Sequence, residues 1–78
     1  MKKDIAVFGV RNSVSGRDYI YLGTVGDFLN MNNKSWLEMR ESILINFGTI
    51  WLRGTARQTS KLCFTSKIDK MRRNKKIS

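Results

Sequence analysis

The residues of this chain best suited to chemistry are its cations, and they are crowded toward one end. Arg53, Arg57, Lys61, Lys67, Lys70, Arg72, Arg73, Lys75 and Lys76 stand against the single carboxylate of Asp69, so residues 53–78 carry +8 of a formal net charge of +9. Residues 1–52 hold six cations and five carboxylates and are close to neutral. Lysine and arginine at this density neutralise phosphates, and a one-sided positive field gathers polyanions, with DNA or RNA foremost. Such contacts give affinity by counterion release and carry little base information. These nine residues are the candidate nucleic-acid-binding set; a solubilising basic tail is their plainer reading.

Other chemistries are narrowed by what the chain lacks. There is no histidine, and Cys63 is the only cysteine. Zinc sites built on Cys and His, intrachain disulfides, histidine general bases and Cys–His nucleophile pairs all fall away. No catalytic residue, metal ligand or cofactor site is predicted. Trp51, Phe64, Tyr19 and Tyr21 fall on expected strands, where aromatics interleaved with Arg and Lys can stack unpaired bases, although burial in a core is their commoner fate. Cys63, beside Phe64, reads as a small buried hydrophobe.

The element that must position these groups is an amphipathic helix over residues 33–48. Ser35 followed by Glu38 has capping-box spacing, and Gly48 offers a left-handed stop. Trp36, Leu37, Met39, Ile43, Leu44 and Phe47 share one arc, opposite Glu38, Glu41, Ser42 and Asn46. Arg40 falls inside the apolar arc, which predicts that it snorkels to water, pairs with a carboxylate such as Asp27, or meets a ligand phosphate. Residues 25–39 can also be laid over a helix-turn-helix, but Glu38 and Glu41 would then face the phosphates, and core packing explains the helix better.

Before this helix, residues 4–10 and 19–22 are short apolar runs of strand character, joined by a polar loop containing Gly16, which predicts an antiparallel hairpin. Thr24 and Asp27 repeat the capping-box spacing ahead of a single helical turn. After the helix, residues 49–53 and 61–65 predict a second hairpin; the alternative is a helix capped by Thr55 and running through Lys70, with Leu62, Ile68 and Met71 as its apolar marks. The poor helix propensity of Gly54 and the nearby Thr and Ser favours the hairpin.

The N-terminal hairpin resembles the opening of GIY-YIG nuclease domains. The likeness rests on residues 6–8, Arg11-Asn12, residues 15–17, Tyr19-Ile20, Gly23-Thr24 and Asp27-Phe28, about a third of the chain. Phe8 and Tyr19 stand where that family has the tyrosines of its first and second motifs. The resemblance implies an α/β domain in which hairpin aromatics, a helix arginine and a downstream glutamate cleave DNA with a divalent metal. Phe8 lacks the first hydroxyl, Tyr21 replaces a glycine, Met31 stands near the arginine's place, and no glutamate can be assigned. Tyr19 alone survives from the catalytic set, which implies a degenerate, inactive member.

Together these readings predict a small α+β fold with a compact domain over residues 1–66 and a basic segment over 67–78. A chain of 78 residues, 41% hydrophobic, can build one core that buries roughly 60% of the unfolded surface. The longest uncharged stretch, residues 42–52, is about half the ~20 residues a spanning helix needs, and neither cysteine pairs nor a secretory leader is seen, so a cytoplasmic protein is expected. The function expected is a non-enzymatic nucleic-acid-binding accessory or regulatory protein of phage or mobile-element type. The alternatives are a protein-interaction module or inhibitor of a host nucleic-acid enzyme, for which an exposed Ile45 is a contact, and a degenerate GIY-YIG-type fragment. Peripheral attachment to acidic lipids is a further class, disfavoured because the apolar stretch is needed in the core.

Overall fold

The computed structural model describes residues 2–54 and 58–75, the side chain of Lys75 excepted. The chain forms β1 (Ala6–Ser13), β2 (Gly16–Thr24), α1 (Val25–Asn30), α2 (Asn33–Asn46), β3 (Thr49–Leu52), β4 (Gln58–Ser60) and α3 (Lys61–Lys75). The four strands make one antiparallel sheet in the order β2-β1-β3-β4. The fold is the α+β class expected. Among the described residues no helix is long and apolar enough to cross a membrane.

The first hairpin is longer than its apolar runs foretold, because strand pairing continues through polar residues to Ser13 and Gly16. Gly16 has φ +140°, a backbone region open to glycine, and receives a hydrogen bond from the Ser13 hydroxyl on its carbonyl at 3.0 Å. Ala6 pairs with Thr24 and Val7 with Gly23, but Phe8 pairs with Tyr21, so Leu22 is an extra residue in β2. This bulge inverts the alternation of the strand. Without it Tyr21 would oppose Gly9 and face inward; with it Ile20 faces inward, while Tyr19 and Tyr21 share the face of Phe8.

The capping box expected ahead of α1 is present: the Thr24 hydroxyl accepts from the Asp27 N–H at 3.1 Å, and the Asp27 carboxylate accepts from the Thr24 N–H at 2.9 Å. The box expected at Ser35 and Glu38 is not. Asn32 caps α2 instead, its side-chain oxygen accepting from the Ser35 N–H at 2.8 Å. Asparagine is as good a cap as serine, and the upstream residue satisfies the free amides first. Gly48 does not end the helix in a left-handed turn either; Phe47 leaves it in extended conformation, and the Gly48 N–H donates to the Val10 carbonyl at 3.0 Å. The chain therefore passes straight from α2 into β3.

All three helices pack on one face of the sheet. Val7 and Ile50 from the strands meet Val25, Phe28, Leu29, Trp36, Ile43, Phe47, Phe64 and Ile68 from the helical layer, and these ten form the core. Leu37, expected on the buried arc, is exposed, whereas Ile45 is exposed as expected. Gly9 is what lets Phe47 lie against β1: a Cβ at this position would stand 2.7 Å from three carbons of the ring. Gly9→Val should therefore displace Phe47 and cost about 1–3 kcal/mol, read as a lower urea midpoint. An unchanged midpoint would show that the ring has room to move.

The second hairpin exists, but its second strand is Gln58–Ser60 rather than residues 61–65. Residues 61–65 open α3, where the Ser60 hydroxyl accepts from the Cys63 N–H at 3.0 Å in the manner of an N-cap. The alternative cap, Thr55, lies outside the described residues. Helix formation turns Cys63 out to solvent, against the expectation of burial. It also removes the expected boundary at residues 66 and 67, because α3 runs across it and places Ile68 in the core, fully buried.

Candidate nucleic-acid interface

Among the described residues the helices cover one face of the sheet, and the opposite face is where the aromatics collect. Phe8 stands in register with Tyr21 on one side and Trp51 on the other, and Val10 with Tyr19 and Thr49. Residues directly opposite across a ladder share a face. Their rings touch: Phe8 and Trp51 have centroids 5.1 Å apart, Phe8 and Tyr21 5.4 Å, and Tyr19 and Trp51 5.8 Å. Phe8 and Trp51 are half-buried beneath this arrangement, while Tyr19 and Tyr21 are 48% and 56% exposed. Phe64, the fourth aromatic expected on a strand, is instead a core residue of α3.

Cations stand at both ends of this face. Arg53 continues β3, its N–H donating to the Ala6 carbonyl at 2.9 Å, and its guanidinium lies 5.9 Å from the centroid of the Phe8 ring. Arg17 alternates with Tyr19 and Tyr21 along β2 and pairs with Asn12 near the hairpin tip. From Asn12 to Ala6 an extended strand spans ~20 Å. Beside Tyr19, a recess of about 140 Å³ is lined by Val10, Asn12, Arg17, Gly48, Thr49 and Gln58. The surface thus joins exposed π-faces to amide and guanidinium groups. Such a surface can stack unpaired bases and hold their phosphates.

Of the nine cations named from the sequence, those whose side chains are described are not brought together. Arg53 is on the sheet face just described. Lys67, Lys70 and Arg73 are exposed on α3, and Lys70 lies on the other side of the helix from the buried Phe64, Thr65 and Ile68. Lys75 closes α3. Two others are used internally. Lys61 donates to the Leu44 carbonyl at 2.7 Å, satisfying an acceptor in the last turn of α2. Arg72 donates to the Phe28 carbonyl at 2.6 Å and to the Asn33 side-chain oxygen at 3.0 Å, and it lies over the Trp36 ring. Arg57 and Lys76 lie outside the described residues.

Arg40 makes an ion pair, although with Asp69 rather than Asp27: Nε donates to Oδ2 at 3.0 Å. The other carboxylate oxygen accepts from the Trp36 indole N–H at 2.7 Å. The one acidic residue of the basic end thus ties α3 to α2. Met31, near the place of the nuclease arginine, is half-buried against the core at the end of α1.

Phe8 and Arg17 are the members of the sheet face missing from the candidates. Alternation of Arg17, Tyr19 and Tyr21 was the signal available for Arg17. No protein-family model, curated protein or solved structure matches the chain.

Proposed function

We propose that this chain is a small non-enzymatic protein that binds single-stranded nucleic acid on the uncovered face of its sheet. Bases stack on Tyr19, Tyr21 and Trp51, with Phe8 supporting the rings from below, while Arg17 and Arg53 meet phosphates at either end. The observation that carries this reading is the linked set of ring contacts on a face that none of the described helices covers. Unpaired bases have free π-faces, whereas those of a duplex are stacked on one another. The outward cations of α3 add long-range attraction for the same polyanion. An accessory or regulatory role in the cytoplasm suits a binder of this kind. A strand on this face passes Tyr19, the residue matched to the second nuclease tyrosine, without being cut.

The test is fluorescence anisotropy with single-stranded and duplex DNA and RNA over a salt series. Single strands should bind at least about tenfold more tightly than duplexes, and Arg53→Ala should make the log–log salt slope shallower by about 0.7. Plasmid DNA incubated with magnesium or manganese should stay intact. Equal affinity for duplexes, or no binding of any ligand at about 50 mM salt, would sink the reading. In the second case the helical side, where Leu37, Ile45 and Leu62 are exposed, favours the protein-interaction alternative.

A further inference from the structure

A second concavity lies in the helical layer, away from the aromatic face and sharing no residue with it. It encloses about 440 Å³ where the end of α1, the first turn of α2 and the last turns of α3 converge. Leu29, Met31 and Trp36 supply its apolar wall, and Asn33, Arg72 and Arg73 its polar side. Cavities of roughly 300–1,000 Å³ with a mostly apolar lining and a few fixed polar groups are the usual size and make-up of small-molecule sites.

The charges here select the ligand. Asp69 also lines the cavity, but each of its oxygens already accepts a hydrogen bond, one from the Trp36 indole N–H and one from the Arg40 guanidinium, whose charge opposes its own. Its negative charge is thereby compensated. Arg72 is held by the Phe28 carbonyl and the Asn33 side chain and lies 5.8 Å from the Trp36 ring centroid. A guanidinium has five N–H donors; Nη1 also reaches the Leu29 carbonyl at 3.5 Å, so after three bonds to the described residues Nε–H and one Nη2–H remain, on a group whose orientation is already set. Arg73 is exposed, and its side chain makes no hydrogen bond or ion pair to the described residues. Two cations, one of them immobilised, thus border an apolar wall that includes an indole.

We propose that this cavity is a binding site for a small aromatic anion, its phosphate or carboxylate held by Arg72 and Arg73 and its ring against Leu29, Met31 and Trp36. Both halves are required. A bare anion forgoes the apolar contact, and a neutral ring forgoes the charge-assisted hydrogen bonds, each a loss of at least about tenfold.

The experiment uses phenyl phosphate as probe, with inorganic phosphate and phenol as its two halves, followed by the indole N–H resonances in ¹H–¹⁵N spectra of the full chain. Trp51→Phe identifies which of the two resonances belongs to Trp36. Phenyl phosphate should shift the Trp36 resonance with a Kd below about 1 mM, and each half should bind at least about tenfold more weakly. Arg73→Ala should weaken phenyl phosphate by at least about tenfold while leaving the rest of the spectrum, and so the fold, unchanged. Met31→Trp, with folding checked in the same spectrum, should fill the cavity and abolish the shift. The proposal is overturned if phenyl phosphate leaves the Trp36 resonance in place, if phenol binds as tightly, or if Arg73→Ala binds like the parent chain.

Discussion

Trp36→Ala is expected to cost about 3–5 kcal/mol, enough to leave much of a domain this small unfolded at ambient temperature. The indole is 3% exposed, packs against Phe28 at a centroid distance of 5.9 Å and belongs to the core. Removing it opens a cavity that its neighbours can only partly fill. It also takes the N–H donor from Asp69, leaving that carboxylate with Arg40, and removes the surface under the Arg72 guanidinium. Three losses at the junction of α2 and α3 therefore coincide, and they will not add as independent terms. Urea denaturation followed by circular dichroism measures the effect, with Glu41→Ala as the exposed control on the same helix. If the midpoint is the same for both variants, the packing of α3 on α2 does not hold the domain together.

The largest effect on binding is expected from Tyr19→Ala combined with Tyr21→Ala. Each stacked base is worth about 1–3 kcal/mol by alanine substitution, so the pair should weaken single-strand affinity by at least about a hundredfold. Both rings are about half exposed and lie on the face away from the core, so the thermal midpoint should fall little. Charge reversal of Lys67 and Lys70 supplies the contrast. It should weaken binding mainly at low salt, through the long-range field, and leave the tryptophan quenching caused by bound bases intact. Anisotropy titrations at two salt concentrations, with Trp51 fluorescence read in parallel, separate the two effects. Retained affinity in the double tyrosine variant would move the binding surface to α3, where the charge pattern of the sequence first put it.

Much of the architecture was readable from local pattern because local forces build it. The first hairpin, the Thr24 and Asp27 cap, the long helix with buried Trp36, Ile43 and Phe47, and the existence of a second hairpin follow from turn residues, capping spacing and apolar periodicity. Residues 61–65 were misread because Phe64 and Thr65 suit a strand taken alone; only docking of Phe64 and Ile68 onto the core makes the helix the better use of them. The Ser60 cap was the local clue to that helix.

By itself, then, the sequence determined the α+β class, the main helix, the excess of positive charge and the absence of histidine chemistry, all of which are properties of composition or of near neighbours in the chain. Tertiary structure alone decided where the charges point. Arg72 and Lys61 became internal ties because carbonyls of α1 and α2 come within hydrogen-bonding reach, and Arg40 found Asp69 across 29 residues of chain. It likewise decided that Phe8, Tyr19, Tyr21 and Trp51 form one surface. That outcome depends on a one-residue bulge at Leu22 and on β3 pairing beside β1, and neither is encoded in residues adjacent in sequence. Side-chain direction in a sheet reverses with every residue, so a single shift in register decides whether an aromatic is core or surface.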